Sequence, residues 1–435
     1  TELQVDGIIG GTQTLGAISI TGILDLNAAI TNATSLSVSS TSNLGADVTT
    51  SSTQTYTSGV TLSGADRTLT ASIVNFVDTL AGGTNGLTIT GNLDLDGAAT
   101  GLSTLAVSGT SNLGADVTTS STQTYTGAVV LSTDVTLTTT DSDITFGATV
   151  DGDGTARDLT IDMDNGVGAD GTVQFINTIG ANDDLDVIDI TGNLNLDAAI
   201  SNTTSLEVSG TSNLGADVTT SSTQTYTSGV TLSGADRTLT ASTVNFVDTL
   251  NGGANGLTIA GNLDLDGAAT NLSTLAVSGT SNLGADVTTS STQTYSGAVT
   301  LSTDVTLTTT DSNITFAVTV DGDGTARDLT IDMDNGDGAD GTVQFVNTVG
   351  ANDDLDVIDI TGNLNLDAAI SNTTSLSVSG TSNLGASVTT TSTQTYSGNA
   401  TISNDIILTT TNSNVSFGAT TNAGTAGDTL TIAAG

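Results

Sequence analysis

The sequence predicts an all-β protein, a repetitive parallel β-solenoid whose short strands are separated by corners of Gly, Asn and Asp. Three observations lead to this prediction: a composition poor in helix formers, a long internal repeat, and short runs in which apolar and polar residues alternate. A row of tandem β-sandwiches is the alternative fold, because it would show the same short strands and turns.

The composition disfavours helices and a conventional aromatic core. The 435 residues include no Pro, Cys, His or Trp, and only 3% are aromatic. Glu2 and Glu207 are the only glutamates, and there is no Lys. Thr, Ser, Val, Asp, Asn and Gly are abundant, which favours strands and turns. The absence of Pro fits central strands, since each of their residues donates a hydrogen bond to the ladder.

An internal repeat is the strongest signal in the chain. The phrase TSNLGA-x-VTT-x-STQTY occurs five times, and its copies end at the five tyrosines of the sequence. Successive copies are 69, 101, 69 and 101 residues apart, so a short unit alternates with a long unit. We predict that residues 1–435 form one continuous repeat array, with units that start near Tyr56, Tyr125, Tyr226, Tyr295 and Tyr396.

The unequal units favour a solenoid over sandwiches. The long unit has 32 more residues than the short one, yet both begin and end with the same motifs. A solenoid accepts such an insertion as one or two further coils, because each coil contacts only its neighbours. With coils of roughly twenty residues and strands about 4.8 Å apart, the chain would form a rod on the order of 100 Å long.

Short runs with a period of two mark the strands. In each run, apolar residues alternate with Thr, Asp or Gln, and Gly, Asn or Asp follows. Stacked in register, these runs would bury Val, Leu and Ile on one face. The runs that show this best are Leu87–Ile89, Leu93–Leu95, Val135–Leu137, Leu159–Met163 and Val173–Phe175.

The charge excludes several partners. The chain carries 46 acidic residues and four arginines, a net charge of −42. Binding to nucleic acid or to an anionic membrane surface needs Lys and Arg, so neither is expected. No apolar run is long enough for a transmembrane helix, and no secretory signal begins at Thr1. The acidic excess suits a long surface protein or binding of divalent cations.

The residue types also argue against catalysis. His, Cys and Lys, the usual general bases and nucleophiles, are absent. Paired carboxylates hydrolyse glycosides in some proteins, but in a chain so rich in Asp such pairs arise by chance. We therefore predict that the protein is not an enzyme and that it requires no cofactor.

Calcium is the one ion that the sequence suggests. Runs such as DGDG and DMDNG place acidic oxygens at alternate positions around Gly, as calcium loops do. No Glu follows at the twelfth position, so these runs are not EF-hands. The alternative interpretation is that they are Gly- and Asp-rich corners between coils. The candidate ligands are Asp151, Asp153, Asp162, Asp164 and Asp170, with their second copies Asp321, Asp323, Asp332, Asp334 and Asp340.

Other recurring residues have structural interpretations. The tyrosines and the matched phenylalanines are expected to stack in the core or at corners. The four arginines, Arg67, Arg157, Arg237 and Arg327, are expected to pair with nearby Asp. The Asn of each SNL motif is expected to cap a turn, at positions Asn43, Asn112, Asn213, Asn282 and Asn383.

The text from Tyr125 to Gly152, and again from Tyr295 to Gly322, resembles the repeats of very large bacterial filamentous-haemagglutinin-like adhesins. The resemblance implies a right-handed parallel β-helix, exported to the cell surface. The function expected is a non-enzymatic extracellular rod, structural or adhesive, within a giant adhesin or filament. Its partner would be another copy, joined end to end or laterally, or a surface, host or polysaccharide target. The alternative is a binding module with a ligand face, for calcium-dependent attachment or for ice or polysaccharide.

Overall fold

The computed structural model of the chain describes residues 1–334, 336 and 339–435. Within these residues the structure is all-β without helices, and parallel strands stack as a β-solenoid in each part of the chain, with about 22 turns in total. The predicted fold class is confirmed, and the β-sandwich alternative is wrong. The chain divides into two compact units, Thr1–Ser221 (unit 1) and Ser222–Gly435 (unit 2), and each is described by itself. That the repeats form one continuous array stays a prediction.

The strands are short and are numbered in chain order. In unit 1, β1 to β27 are Glu2–Val5, Leu15–Ile20, Ile23–Leu26, Ile30–Val38, Ser42–Leu44, Val48–Thr50, Thr53–Tyr56, Val60–Leu62, Arg67–Phe76, Leu80–Ala81, Leu87–Leu95, Ala99–Leu102, Leu105–Val107, Ser111–Leu113, Val117–Thr119, Gln123–Tyr125, Val129–Leu131, Val135–Thr138, Ile144–Phe146, Val150–Gly152, Arg157–Asp162, Thr172–Phe175, Leu185–Thr191, Asn193–Leu196, Ile200–Val208, Ser212–Leu214 and Val218–Thr220.

In unit 2, β28 to β54 are Thr223–Tyr226, Val230–Leu232, Arg237–Phe246, Leu250–Asn251, Leu257–Leu265, Ala269–Leu272, Leu275–Val277, Ser281–Leu283, Val287–Thr289, Gln293–Tyr295, Val299–Leu301, Val305–Thr308, Ile314–Phe316, Val320–Gly322, Arg327–Asp332, Thr342–Phe345, Leu355–Thr361, Asn363–Leu366, Ile370–Val378, Ser382–Leu384, Val388–Thr390, Gln394–Tyr396, Ala400–Ile402, Ile406–Thr410, Val415–Phe417, Thr421–Ala423 and Leu430–Ala434.

A regular turn consists of three strand segments that begin six residues apart. In unit 1 such segments begin at Ala99, Leu105, Ser111, Val117 and Gln123. Leu105 pairs with Gln123 and Ala99 pairs with Val117, eighteen residues later in each case. The sequence-based estimate of roughly twenty residues for each coil is therefore close. Three segments to the turn give the solenoid three faces.

Alternate residues of each segment form the core. In β14, Ser111 and Leu113 are buried while Asn112 points outward. The tyrosines and their matched phenylalanines stack on successive turns, as predicted: Tyr125 on Phe146 with ring centroids 5.3 Å apart, and Phe146 on Phe175 at 5.0 Å. Stacked aromatic rings add about 1 kcal/mol for each pair beyond the area that they bury.

The QTY motif places a glutamine inside the core. Gln293 is fully buried; its Nε2 donates to the carbonyl oxygens of Val287 (3.2 Å) and Thr308 (3.0 Å). Its Oε1 accepts the hydroxyl of Tyr295 at 3.0 Å. The amide thus binds carbonyl groups of two adjacent turns and the phenol at once, which removes the cost of burying a polar group without partners. The same tyrosine-to-glutamine bond occurs in the other four copies: Tyr56–Gln54, Tyr125–Gln123, Tyr226–Gln224 and Tyr396–Gln394.

The long unit contains one more turn than the short unit. In unit 2, strand pairing leads from Tyr226 through Phe246 and Leu265 to Leu283, three turns on. From Tyr295, pairing leads through Phe316, Phe345 and Leu366 to Leu384, four turns on. The other extra residues enlarge a turn, since Phe316 and Phe345 are 29 residues apart. The prediction that the insertion is absorbed as added coil is confirmed.

The QTY motif changes face from one copy to the next in unit 2. Tyr295 lies twelve residues after Leu283, which shares a face with Tyr226. Tyr396 likewise lies twelve residues after Leu384, which shares a face with Tyr295. Twelve residues are two strand segments, so each motif starts on a different one of the three faces. Neither repeat length is a whole number of turns.

A glycine permits one of the long strands to bend around a corner. Gly91, within β11, has φ +130, and a Cβ there would lie 1.8 Å from the carbonyl oxygen of Ala71 on the preceding turn. The register between β9 and β11 shifts at this point. Only Gly fits such a close approach of two backbones.

Candidate functional site

The first predicted cation loop of unit 1 is a hydrogen-bonded corner. Asp151 is buried in β20, and its two carboxylate oxygens accept the backbone N–H (3.0 Å) and the side-chain Nδ2 (2.8 Å) of Asn182. Asp153 forms an ion pair with Arg157 at 2.9 Å, and the hydrogen bond from this arginine lowers the pKa of Asp153. Both carboxylates therefore bind groups of the protein itself.

The second predicted loop of unit 1 follows β21. The Asp162 carboxylate accepts the N–H of Asp164 at 3.4 Å, and the Asp164 carboxylate accepts the N–H of Gly166. Asp170 contributes its backbone carbonyl, which accepts Nδ2 of Asn193 at 2.9 Å. These three aspartates thus stabilise a long exposed connection between β21 and β22.

The second copies in unit 2 repeat this arrangement. Asp321 accepts the N–H and Nδ2 of Asn352 at 3.0 and 2.9 Å. Asp323 pairs with Arg327 at 2.8 Å. The further contacts are Asp332 with the N–H of Asp334 (3.4 Å), Asp334 with the N–H of Gly336 (2.7 Å), and the carbonyl of Asp340 with Nδ2 of Asn363 (2.9 Å).

No group of three or more acidic side chains converges as metal ligands among the residues that the structure describes. Calcium binding at the ten aspartates stays a prediction. What the structure shows is a second use for acidic side chains: corner carboxylates accept backbone N–H groups of the next turn. Examples are Asp116 with Thr136, Asp134 with Asp158, Asp158 with Val187, and Asp286 with Thr306, at 2.7–3.2 Å.

Three of the arginines pair with nearby Asp as the sequence predicted, and Nη2 of Arg237 donates to the carbonyl oxygen of Ser233 at 2.8 Å. Arg157 and Arg327 each pair with the aspartate four residues earlier, and Arg67 lies 3.7 Å from Asp47. Arg67 also donates to the carbonyl oxygen of Ser63 at 3.0 Å. The arginine side chains therefore fasten corners of the solenoid.

The five SNL asparagines were wrongly predicted as turn caps. Each lies in the middle of a three-residue strand and donates to an acceptor on the preceding turn. Within the four complete units, the acceptor is a carboxylate in the short ones, as in Asn282 with Asp264 (2.8 Å), and an amide in the long ones, as in Asn383 with Asn365 (2.7 Å). Asn43, which precedes the first complete unit, donates to the carboxylate of Asp25 at 2.8 Å. The cue in the sequence is the partner motif, LDL or LNL, eighteen residues earlier.

Strand pairing arranges these outward residues in rows that cross the turns. In unit 2 we give names to two of these rows: the acidic row begins in the short unit and ends in the long unit, and the neutral row passes through the long unit. The acidic row is Thr225, Asn245, Asp264, Asn282, Thr300 and Asp321. The neutral row is Thr294, Thr315, Gln344, Asn365, Asn383 and Thr401.

The acidic row keeps its two carboxylates apart. Asp264 lies between Asn245 and Asn282, and Asp321 follows Thr300. Neighbouring strands are about 4.8 Å apart, at which two carboxylates would repel by roughly 1 kcal/mol in water. Equivalent aspartates do not stack on each other in this row, because an amide or a hydroxyl lies on the adjacent turn.

Burial changes the acid–base behaviour of the core tyrosines. Each tyrosine hydroxyl is buried against its glutamine, and burial raises the pKa of all five tyrosines. At the surface, the pKa of Asp96 and that of Asp266 are raised by partial burial and by Asp94 and Asp264 respectively.

Comparison of the chain with protein-family models, with curated proteins and with solved structures gave no match. Relationship to the filamentous-haemagglutinin-like adhesins therefore stays a prediction from the sequence of the repeats. In the part of the chain that the structure describes, no helix has the length and apolar character needed to cross a membrane.

Proposed function

We propose that this chain is the repeat region of a non-enzymatic extracellular rod, structural or adhesive, within a giant cell-surface protein or filament. The observation that carries the proposal is that successive copies of the QTY motif lie on different faces of unit 2. Because neither repeat length is a whole number of turns, each further copy presents the same side chains on another face. Such a repeat extends a stack without creating one unique site.

The use of polar side chains supports the same proposal. The buried glutamines, the corner aspartates and three of the arginines bind groups of the protein itself. A catalytic site needs a nucleophile or base whose pKa and position suit a substrate. In these repeats the recurring polar side chains join one turn to the next.

A deletion of one complete super-repeat tests the rod. Removal of residues 226–395 joins Thr225 to Tyr396 and restores an intact QTY motif. The deleted segment holds seven complete turns and four further strand segments, which together make eight and a third turns. At about 4.8 Å for each turn, electron microscopy should show rods shorter by roughly 40 Å than the full chain.

Rods of unchanged length, or a string of separately folded beads, would contradict the proposed architecture. Location is tested separately, by antibody labelling of intact and of lysed source cells. We expect labelling of intact cells. Labelling seen only after lysis would rule out the extracellular role, but it would not contradict the proposed rod architecture.

A further inference from the structure

A groove in unit 2 crosses the neutral row over successive turns. It is open to solvent, has a volume of about 400 Å³, and is lined by amide and hydroxyl side chains. Among the described lining residues none is charged, although 46 of the 435 residues of the chain are acidic. The side chains that the argument uses are Asn313, Thr342, Asn365, Thr381, Asn383 and Thr401.

The amides of the groove are held by bonds between turns. Nδ2 of Asn383 donates to Oδ1 of Asn365 at 2.7 Å, and Oδ1 of Asn313 accepts the N–H of Thr342 at 2.9 Å. Oδ1 of Asn363 accepts both the N–H and the hydroxyl of Thr381, at 2.8 and 2.6 Å. An amide has two N–H groups and two lone pairs, so Asn313, Asn365 and Asn383 keep hydrogen-bonding capacity for a ligand. Asn363 does not, because its Nδ2 also donates to the carbonyl oxygens of Asp340 and Gly341, and its role is to hold Thr381 in place. Holding the amides in place beforehand lowers the entropy cost of binding.

The comparison with the short unit identifies the ligand class. Asp264 occupies the position that Asn365 has in the long unit, and both accept the amide of the SNL asparagine. The solenoid thus accepts a carboxylate at this position, and Asp25 stands there before the first complete unit. Both complete long units nevertheless have an amide, Asn195 and Asn365. A neutral surface does not favour cations over neutral molecules, and hydrogen-bonding groups on every turn suit a partner that carries many hydroxyls.

The geometry also limits how recognition works. Tyr295, Tyr396, Phe316 and Phe345 are buried, so these rings offer no platform for stacking against a ligand. Binding must rest on hydrogen bonds repeated about every 4.8 Å across the turns. A single contact of this kind is weak, whereas a polymer that makes many contacts at once gains avidity.

We propose that the groove and the neutral row bind a neutral polysaccharide chain that runs across the turns of the solenoid. Unit 1 carries the matching row, Thr124, Thr145, Gln174, Asn195 and Asn213, with Asn213 donating to Asn195 at 2.8 Å. This inference goes beyond the rod function and does not depend on it, because a short solenoid could bind the polymer equally well.

The experiment measures retention of the full chain by insoluble neutral glucans and a neutral mannan at physiological salt. The test variant Asn195→Asp/Asn365→Asp reproduces in both long units the Asp264–Asn282 pairing of the short unit, which the fold already accepts. The control variant Ser37→Glu/Ser377→Glu also adds two charges, and it places Glu where Glu207 stands in the first super-repeat. Circular dichroism and thermal unfolding establish that both variants are folded.

We expect at least one neutral matrix to retain the wild-type chain and the control variant. The test variant should lose at least five-fold in the bound fraction. Failure of every neutral matrix to retain the wild type would overturn the proposal. So would equal retention of the test and control variants, or equal binding to a carboxymethylated matrix. If the chain binds no glucan or mannan but inhibits ice recrystallisation, the proposal is overturned, and the neutral row binds ordered water instead.

Discussion

The short unit that starts at Tyr226 and the long unit that starts at Tyr295 share a core and differ at the surface. Both begin with the same buried Gln–Tyr pair, but the short unit stacks two aromatic rings and the long unit stacks three. Outside, Asp264 of the short unit is replaced by Asn365 of the long unit. The comparison teaches that a turn can be inserted by repeating the core chemistry, while the outward residues are free to change charge.

The largest expected effect concerns the third ring. Phe316 lies between Tyr295 and Phe345, with centroids 5.2 Å from each, whereas Phe246 stacks on Tyr226. Removing a buried Phe costs about 3–5 kcal/mol, and one more ring pair adds about 1 kcal/mol. Phe316→Ala should therefore destabilise more than Phe246→Ala, as measured by urea unfolding and by hydrogen exchange of the flanking strands. Equal losses would mean that the ring stack adds nothing beyond buried area.

The next largest effect concerns the buried glutamine, which the short and long units share. Gln293→Ala leaves the carbonyls of Val287 and Thr308 and the hydroxyl of Tyr295 without their partner. A buried polar group that loses its partner costs about 1–3 kcal/mol. We expect a loss of about 3 kcal/mol in the free energy of unfolding, and a similar loss for Gln224→Ala in the short unit. Tyr295→Phe is the control, and it should cost about 1 kcal/mol.

A smaller effect should separate the two surfaces. Partial burial and the neighbouring Asp264 raise the pKa of Asp266. A carboxyl group whose pKa is higher in the folded state favours folding most below its unfolded pKa of about 3.9, and this stability is lost as the pH rises through the folded pKa. Asp264→Asn, which copies the long unit, should weaken this pH dependence and raise the melting temperature at pH 7 by less than about 2 °C.

Ionic strength gives the control for that prediction. Salt screens the repulsion between exposed carboxylates, so the gain from Asp264→Asn should shrink as sodium chloride is added. A gain that is independent of salt would show that charge is not its cause. Calcium added at matched ionic strength tests the predicted cation sites in the same series, because a rise in melting temperature beyond that given by sodium chloride would support them.

The smallest effect concerns the serine of the SNL motif. Within the described residues, the buried hydroxyls of Ser42, Ser111, Ser212, Ser281 and Ser382 have no hydrogen-bond partner. Ser281→Ala in the short unit and Ser382→Ala in the long unit should leave stability unchanged or raise it by up to about 1 kcal/mol, because a desolvated hydroxyl is removed. Denaturant unfolding measures both, and a loss above 1 kcal/mol in either would reveal a hidden partner.

The sequence by itself determined the class of the fold, the repeat and the aromatic core. The fivefold phrase ending in Tyr and the 32 extra residues of the long unit required a fold that grows by adding turns. The matched aromatics, such as Tyr295 and Phe316, had to lie at equivalent positions of stacked turns. These features are local or periodic, so they can be read along one chain.

Only the tertiary structure decided which polar residues lie inside and which rows they form. Glutamine is a polar residue that usually lies at the surface. Gln293 can be buried because carbonyl oxygens from two adjacent turns accept hydrogen bonds from its amide. Asn282 and Asn383 have the same local sequence, yet one meets Asp264 and the other meets Asn365. The pairing register sets these contacts, and turns that vary from 18 to 29 residues bring together side chains whose spacing the sequence does not reveal.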